Sequence, residues 1–299
     1  MKTWIRRVSI VCLALVALAG ALMLYAGWLT RQTLAQRWEL PALELTRSSE
    51  PDAVARGAHL AQTIGCAGCH GSTLGGALVV DAGPVMQVYA PNLTRGGTLP
   101  ALDLAEFEHA VRHAVGADGR PLLLMPARDY MLLSNADIGA LYAYLQSLPP
   151  QPGNQPPSRI GPVGQLLHLA GMLPLTDATR IDHAQASRGA AAPPLDDALA
   201  HGGYLAQVCT GCHGTGLSGG PAPGLPPEVP TPGNLTPHET GLGRWSEDDF
   251  RAFMRTGKRP DGRAVDDFMP WRSLGQMSDA ELHAIWTHLR SLPARPVGG

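Results

Sequence analysis

The longest apolar run spans Val8 to Thr30, 23 residues without a charged side chain. A helix of that length crosses the hydrocarbon core of a bilayer. Lys2, Arg6 and Arg7 precede it, and Tyr25 and Trp28 sit toward its far end, where amphipathic rings favour the interface. Positive charge ahead of the span favours an inside N-terminus and puts the rest of the chain outside the cytoplasm. The competing reading is a signal peptide cut at Thr33-Leu34-Ala35, although a cleaved apolar region is usually shorter. Beyond the span, apolar positions recur at helical spacing. Ile138, Leu141, Tyr142, Leu145 and Leu148 follow Ser134-Asn135-Ala136-Asp137; Leu282, Ile285, Trp286, Leu289 and Leu292 follow Ser278-Asp279-Ala280-Glu281. Both tetrads read as capping boxes, and Pro149 and Pro293 end the helices. Ser246-Glu247-Asp248-Asp249 caps a further helix carrying Phe250, Phe253 and Met254. Shorter helices carry Leu60 and Ile64, or Tyr204, Leu205 and Val208. No run of Val, Ile and Thr marks a strand, so the pattern predicts an all-α protein without a sheet.

Pro150, Pro152, Pro156, Pro157, Pro162, Pro174, Pro193 and Pro194 mark residues 150–195 as a connector. Val163 to Leu175 within it is apolar, which a free linker would not be. That stretch predicts a short helix docked on a folded unit, or a contact with a membrane surface.

The sequence repeats itself. Phe107 and Phe250, Arg112 and Arg255, and Asp118-Gly119-Arg120 and Asp261-Gly262-Arg263 lie 143 positions apart. Asn92-Leu93-Thr94 returns as Asn234-Leu235-Thr236 at an offset of 142, and Met125-Pro126 as Met269-Pro270 at 144. Such drift is what short loop insertions within one shared fold produce. The predicted organisation is a membrane anchor at 1–31, a tether at 32–50, one unit at 51–149, the connector at 150–195 and a second unit at 196–299.

The repeat also carries the chemistry. Cys66-Ala67-Gly68-Cys69-His70 and Cys209-Thr210-Gly211-Cys212-His213 are two copies of Cys-x-x-Cys-His, the attachment signal of c-type haem. A lone Cys-x-x-Cys also serves redox disulfides and zinc sites. A His directly after each second Cys favours haem instead. The expected cofactor is therefore two covalent haem c groups, held through Cys66, Cys69, Cys209 and Cys212. His70 and His213 are the proximal iron ligands. A distal thioether raises the potential of a His-ligated iron. Met86, Met131, Met254 and Met277 are available, but only Met125 and Met269 have a Met in the other copy. The Pro after each biases the Met backbone to an extended form. Met125 and Met269 are therefore the expected distal ligands.

Composition fits this reading. Aromatic residues make up only 5% of the chain, thin for two ordinary cores unless buried porphyrins add apolar bulk. Cys12 is the one cysteine outside the motifs and lies in the apolar run, so no disulfide is implied. A formal net charge of −2 gives no reason to expect nucleic acid as a partner.

Helix, Cys-x-x-Cys-His, long loop, helix, Met-Pro and terminal helix is the order of class I cytochrome c, and each half resembles that family. Asn234-Leu235-Thr236-Pro237, Glu239-Thr240-Gly241-Leu242-Gly243-Arg244-Trp245-Ser246-Glu247-Asp248-Asp249-Phe250 and Arg259-Pro260-Asp261-Gly262-Arg263 are similar to the cytochrome subunits of membrane-bound alcohol and gluconate dehydrogenases. Those subunits commonly carry three haem motifs where this chain has two. The first half is looser, with Gly96-Gly97-Thr98 and Leu102-Asp103 in place of the Trp-containing stretch. The resemblance implies two tandem cytochrome c domains on a single-pass anchor in a bacterial inner membrane, with the haem domains in the periplasm. The implied partners are a redox donor, such as a dehydrogenase subunit, and a respiratory acceptor. A di-haem enzyme such as a peroxidase, or a haem-based sensor, would instead need an open or His-ligated iron. None of the remaining histidines recurs at the repeat offset. Arg120, Arg263 and the two Asn residues of the Asn-x-Thr triplets do recur, as propionate partners or as loop braces.

Overall fold

The structure is a computed structural model that describes residues 2–41, 43, 45, 52–97, 102–153, 155–186, 191–221 and 229–299. Thr98 and the tether beyond residue 45 lie outside the described residues. The apolar run forms α1 (Lys2–Ala35), whose best 18-residue window has a mean hydropathy of 2.5. Its length and composition suffice to cross a membrane.

The first half is built on α2 (Ala53–Thr63), α3 (Cys66–His70), α4 (Leu104–His113), α5 (Ala127–Tyr130) and α6 (Asn135–Ser147). The connector contributes α7 (Pro162–Leu169) and α8 (His183–Ala186). The second half is built on α9 (Ala198–Leu205), a 3-10 turn (Ala206–Cys209), α10 (Thr210–His213), α11 (Glu247–Thr256), α12 (Trp271–Leu274) and α13 (Asp279–Ser291). In each half the first and last helices cross at a glycine. A Cβ on Gly57 would overlap the Ala140 carbonyl, and one on Gly202 the Ala284 carbonyl. The predicted apolar faces of α6 and α13 form the two cores: Ile138, Leu141, Tyr142 and Leu145 with Leu60 and Phe107, and Leu282, Ile285, Trp286 and Leu289 with Leu205 and Phe250.

Caps start these helices as expected, with one exception. Ser278 and Glu281 form a full box on α13, and Ser246 and Asp249 form one on α11. On α6 only half of the box exists. The Ser134 hydroxyl accepts the Asp137 N–H, but the Ser134 N–H donates to the Tyr204 hydroxyl at 2.9 Å. Asp137 binds Arg56 and Tyr204 instead of closing the box. The exchange places a side chain from the second half on a helix start of the first.

The prediction of no sheet was wrong. β1 (Ala77–Asp81) and β2 (Met86–Ala90) form an antiparallel pair, and β3 (Arg159–Ile160) from the connector adds to β2. Leu78-Val79-Val80 and Val85 through Tyr89 are short β-formers around an Ala82-Gly83-Pro84 turn. Each run is too brief to show a period of two against helical neighbours. Met86 and Val88 are buried beneath the connector with Leu175.

The connector forms the predicted short helix, but α7 packs on the end of α1. Thr33 Oγ1 lies 3.0 Å from His168 Nε2, and a Cβ on Gly27 would stand 3.0 Å from the Gln165 side chain. After α1 the chain runs across the Asp118-Gly119 turn, where Trp38 N donates to the Gly119 carbonyl at 2.9 Å. This part of the predicted tether is docked on the first half.

Candidate haem sites

Both Cys-x-x-Cys-His motifs form a short helix directly behind the first helix of their half. α3 follows Gly65 in the left-handed region (φ 91°) and ends at Gly71 (φ 80°); α10 ends at Gly214 (φ 77°). Positive φ at these positions favours glycine, which has no Cβ to clash. No disulfide ties up the four motif cysteines, so their sulfurs remain for thioether bonds. Cys66 and Met125 border the first core, and Cys209 and Met269 border the second. Each half therefore brings its attachment motif and its Met-Pro segment to one apolar cluster. Met86 belongs to the sheet cluster, whereas Met254 and Met277 are buried within the second core.

The histidines are oriented identically. His70 Nδ1 lies 2.9 Å from the Pro91 carbonyl, and His213 Nδ1 lies 2.7 Å from the Gly233 carbonyl. A carbonyl only accepts, so Nδ1 carries the proton and Nε2 keeps its lone pair for a metal. Burial lowers both imidazole pKa values against the opposing backbone hydrogen bond, and the net lowering favours the neutral ligand form.

These two carbonyls were missed in the sequence, although the neighbouring repeat pointed to them. Asn92 Oδ1 accepts the Thr94 N–H (2.9 Å) and hydroxyl (2.7 Å), and its amide donates to the carbonyls of Gln151 and Gly153. Asn234 does the same with Thr236, at 2.9 and 2.8 Å, and donates to the Arg295 carbonyl. The Asn-x-Thr triplet thus braces the segment presenting the carbonyl to His70 or His213. It pins that segment to the chain leaving the terminal helix.

The Met-Pro segments also match. Pro126 (φ −81°, ψ 59°) and Pro270 (φ −78°, ψ 48°) sit at the centre of inverse γ-turns. The Met125 carbonyl accepts the Ala127 N–H at 2.8 Å, and the Met269 carbonyl accepts the Trp271 N–H at 2.7 Å. The recurring arginines clamp the chain beyond α5 and α12. Arg112 donates to the Leu133 carbonyl and Asn135 (2.8 Å), and Arg255 to the Gly275 carbonyl and Asp279 (2.7 Å). Each arginine ties the end of the Met loop to the start of the terminal helix.

The other recurring groups brace turns. Arg120 lies 3.6 Å from Asp118 and Arg263 2.6 Å from Asp261, each within its exposed Asp-Gly turn. Several of the remaining histidines are engaged elsewhere. His59 meets Glu281 at 2.9 Å, His283 meets Glu247 at 3.0 Å, and His113 Nδ1 meets His183 Nδ1 at 2.8 Å. Thiols, oriented imidazoles and thioethers gathered at two matching apolar clusters fit the donor set of a covalently held haem in each half.

Comparison with known proteins agrees. Residues 52–145 match the family described as cytochrome c oxidase, cbb3-type, subunit III, and residues 200–293 match the family described as cytochrome c. The chain is 31% identical over 291 residues to the cytochrome c subunit of the quinone alcohol dehydrogenase of Gluconacetobacter polyoxogenes, covering 85% of this chain and 59% of that protein. It is 28% identical to the fructose dehydrogenase cytochrome subunit of Gluconobacter japonicus, covering 84% of this chain and 55% of that protein. It is 31% identical to the gluconate 2-dehydrogenase cytochrome c subunit of Pantoea cypripedii, covering 81% of this chain and 60% of that protein. The chain thus spans less than two thirds of the length of these relatives. Geometry, repeat and comparisons together make this protein a tandem of two cytochrome c domains behind an N-terminal apolar helix.

Proposed function

We propose that the protein is the electron-relaying cytochrome c subunit of a membrane-bound dehydrogenase. In this reading residues 1–31 are a retained anchor, and residues 51–149 and 196–299 are two haem domains in the periplasm. The acceptor is a component of the respiratory chain. The observation that supports it most is the repetition of one complete ligand frame. Backbone-oriented His70 and His213, the Met125-Pro126 and Met269-Pro270 turns, and the arginine clamps match piece by piece.

Haem c, when bound, supplies a one-electron iron couple. Cys66 with Cys69, and Cys209 with Cys212, would hold it by thioether bonds. The Pro91 and Gly233 carbonyls keep His70 and His213 in the tautomer that leaves Nε2 for iron. Met125 and Met269 would fill the distal position and hold out exogenous ligands, which suits electron transfer better than substrate turnover. The short turns and arginine clamps would limit movement of the two Met-Pro loops when the iron changes oxidation state.

The test is affinity purification of the full chain from detergent-solubilised membranes, with identification of what co-purifies. A stoichiometric dehydrogenase whose substrate reduces the cytochrome is the expected result. A chain that purifies without any oxidoreductase and is reduced by none in the same membranes would overturn the proposal.

A further inference from the structure

The two distal ligand loops do not face the same surroundings. α5 follows Met125-Pro126 and lies between the two attachment motifs. The Tyr130 hydroxyl donates to the Ile64 carbonyl at 2.8 Å, two residues before Cys66. On the other side the Asp129 carboxylate sits on Gly211, inside the second motif, where a Cβ would overlap it. The matching glycine of the first motif, Gly68, has nothing within 4 Å of its Cβ position. The counterpart of Asp129 at the Met-Pro offset of 144 is Ser273, a neutral residue. One carboxylate therefore crosses from the first domain to the second attachment site, and none crosses back at the equivalent position.

We propose that Asp129 sets the two haems apart, its carboxylate lowering the reduction potential of the second haem relative to the first. This rests on the two-haem reading above. A negative charge held beside a site that gains an electron favours the oxidised form, and low local dielectric strengthens the effect. Asp129 meets the burial condition, since its Oδ1 is buried without a hydrogen-bond partner among the described residues.

The groups around Asp129 also make the effect pH-responsive. Arg128 and Tyr130 flank it on α5, Asp177 approaches from the connector, and Tyr204, Cys209 and Cys212 face it from the second domain. Asp177 accepts the Arg128 N–H at 3.2 Å and lies 3.6 Å from Arg180. The cysteines become neutral thioethers once haem is attached. Burial first, and then Asp177, push the Asp129 carboxyl up to about 7, against Arg128 and the Gly211 N–H. A carboxyl of that pKa is neutral in mild acid and charged in mild alkali.

The experiment is spectroelectrochemical titration of the haem-loaded full chain in steps between pH about 5.5 and about 8.5, the two end points lying either side of that value. The wave that Met269→His moves identifies the second haem. In wild type the second potential is expected to fall from the lower to the higher pH while the first moves less. In Asp129→Asn it is expected to stay at its acid value at both. Asp177→Asn removes a charge that raises the Asp129 pKa, so the midpoint of the pH response is expected at lower pH. Haem content measured on each sample separates the two readings. One haem per chain would overturn the two-haem reading. Two haems, with a second potential indifferent to Asp129→Asn and Asp177→Asn, would overturn the role of Asp129 alone.

Discussion

At the scale of single residues, the account depends on side chains whose roles repeat in the two halves. Met269→Ala should open the second iron to carbon monoxide and lower its potential, leaving the first nearly unchanged; absorbance with and without the gas reads this directly. Met269→His should keep six ligands and lower the same potential. Glu108 has no such counterpart, since position 251 is an arginine. It is fully buried on α4, 3.0 Å from Arg112 and 3.5 Å from His113. Burial by itself would raise its pKa; the hydrogen bonds from His113 and Arg112 outweigh that and hold the carboxyl below its usual range. A depressed carboxyl stabilises the fold above its unfolded value, about 4.3, and the contribution is lost as pH falls through the folded value. Glu108→Gln should flatten the acid limb of the stability curve. It should also lower the neutral-pH stability by about 3 kcal/mol, as removing one member of a buried ion pair does. Thermal melts across the acid range, with an unchanged acid limb as the contrary result, check this.

At the scale of elements, the four-residue α5 and α12 owe their position to the turns before them and the clamps after them. Neither is long enough to stand alone. The α2–α6 and α9–α13 crossings depend on Gly57 and Gly202, because backbone carbonyls occupy the space a side chain would need. Gly202→Val should cost about 3 kcal/mol, at the upper end of overpacking penalties, and reduce haem loading of the second domain selectively. Haem content with separate assignment of the two sites measures it, and equal loading would contradict it. The terminal helices were legible in the sequence because caps, apolar period and a closing proline all agree in both copies. The two Cys-x-x-Cys-His motifs were legible because haem attachment needs residues at consecutive positions. The sheet was not, since five-residue strands show too few alternations and the third strand comes from seventy residues away. Nor were the Pro91 and Gly233 carbonyls, because a backbone acceptor leaves no trace in residue type. Only the Asn-x-Thr brace beside each marked its place.

At the scale of the whole molecule, the halves are tied by side chains each lends to the other. Tyr204 reaches the start of α6, and His59 reaches Glu281 at the start of α13. Tyr204→Phe should leave haem content intact and loosen the junction, so that the two domains melt separately rather than together. A single unchanged transition would count against the tie. The helix α1 is joined to the same body through α7 and the Trp38 backbone on the Asp118-Gly119 turn, so on the proposed topology the haem domains are held close to the membrane. The central claim is two electron-transfer haems, each with His and Met ligands. The most direct measurement is a redox titration of the full chain, repeated under carbon monoxide. Two one-electron waves, each oxidised form showing the methionine–iron band and neither reduced form binding the gas, are the predicted result. A single wave, or ready binding of carbon monoxide at either iron, would contradict it.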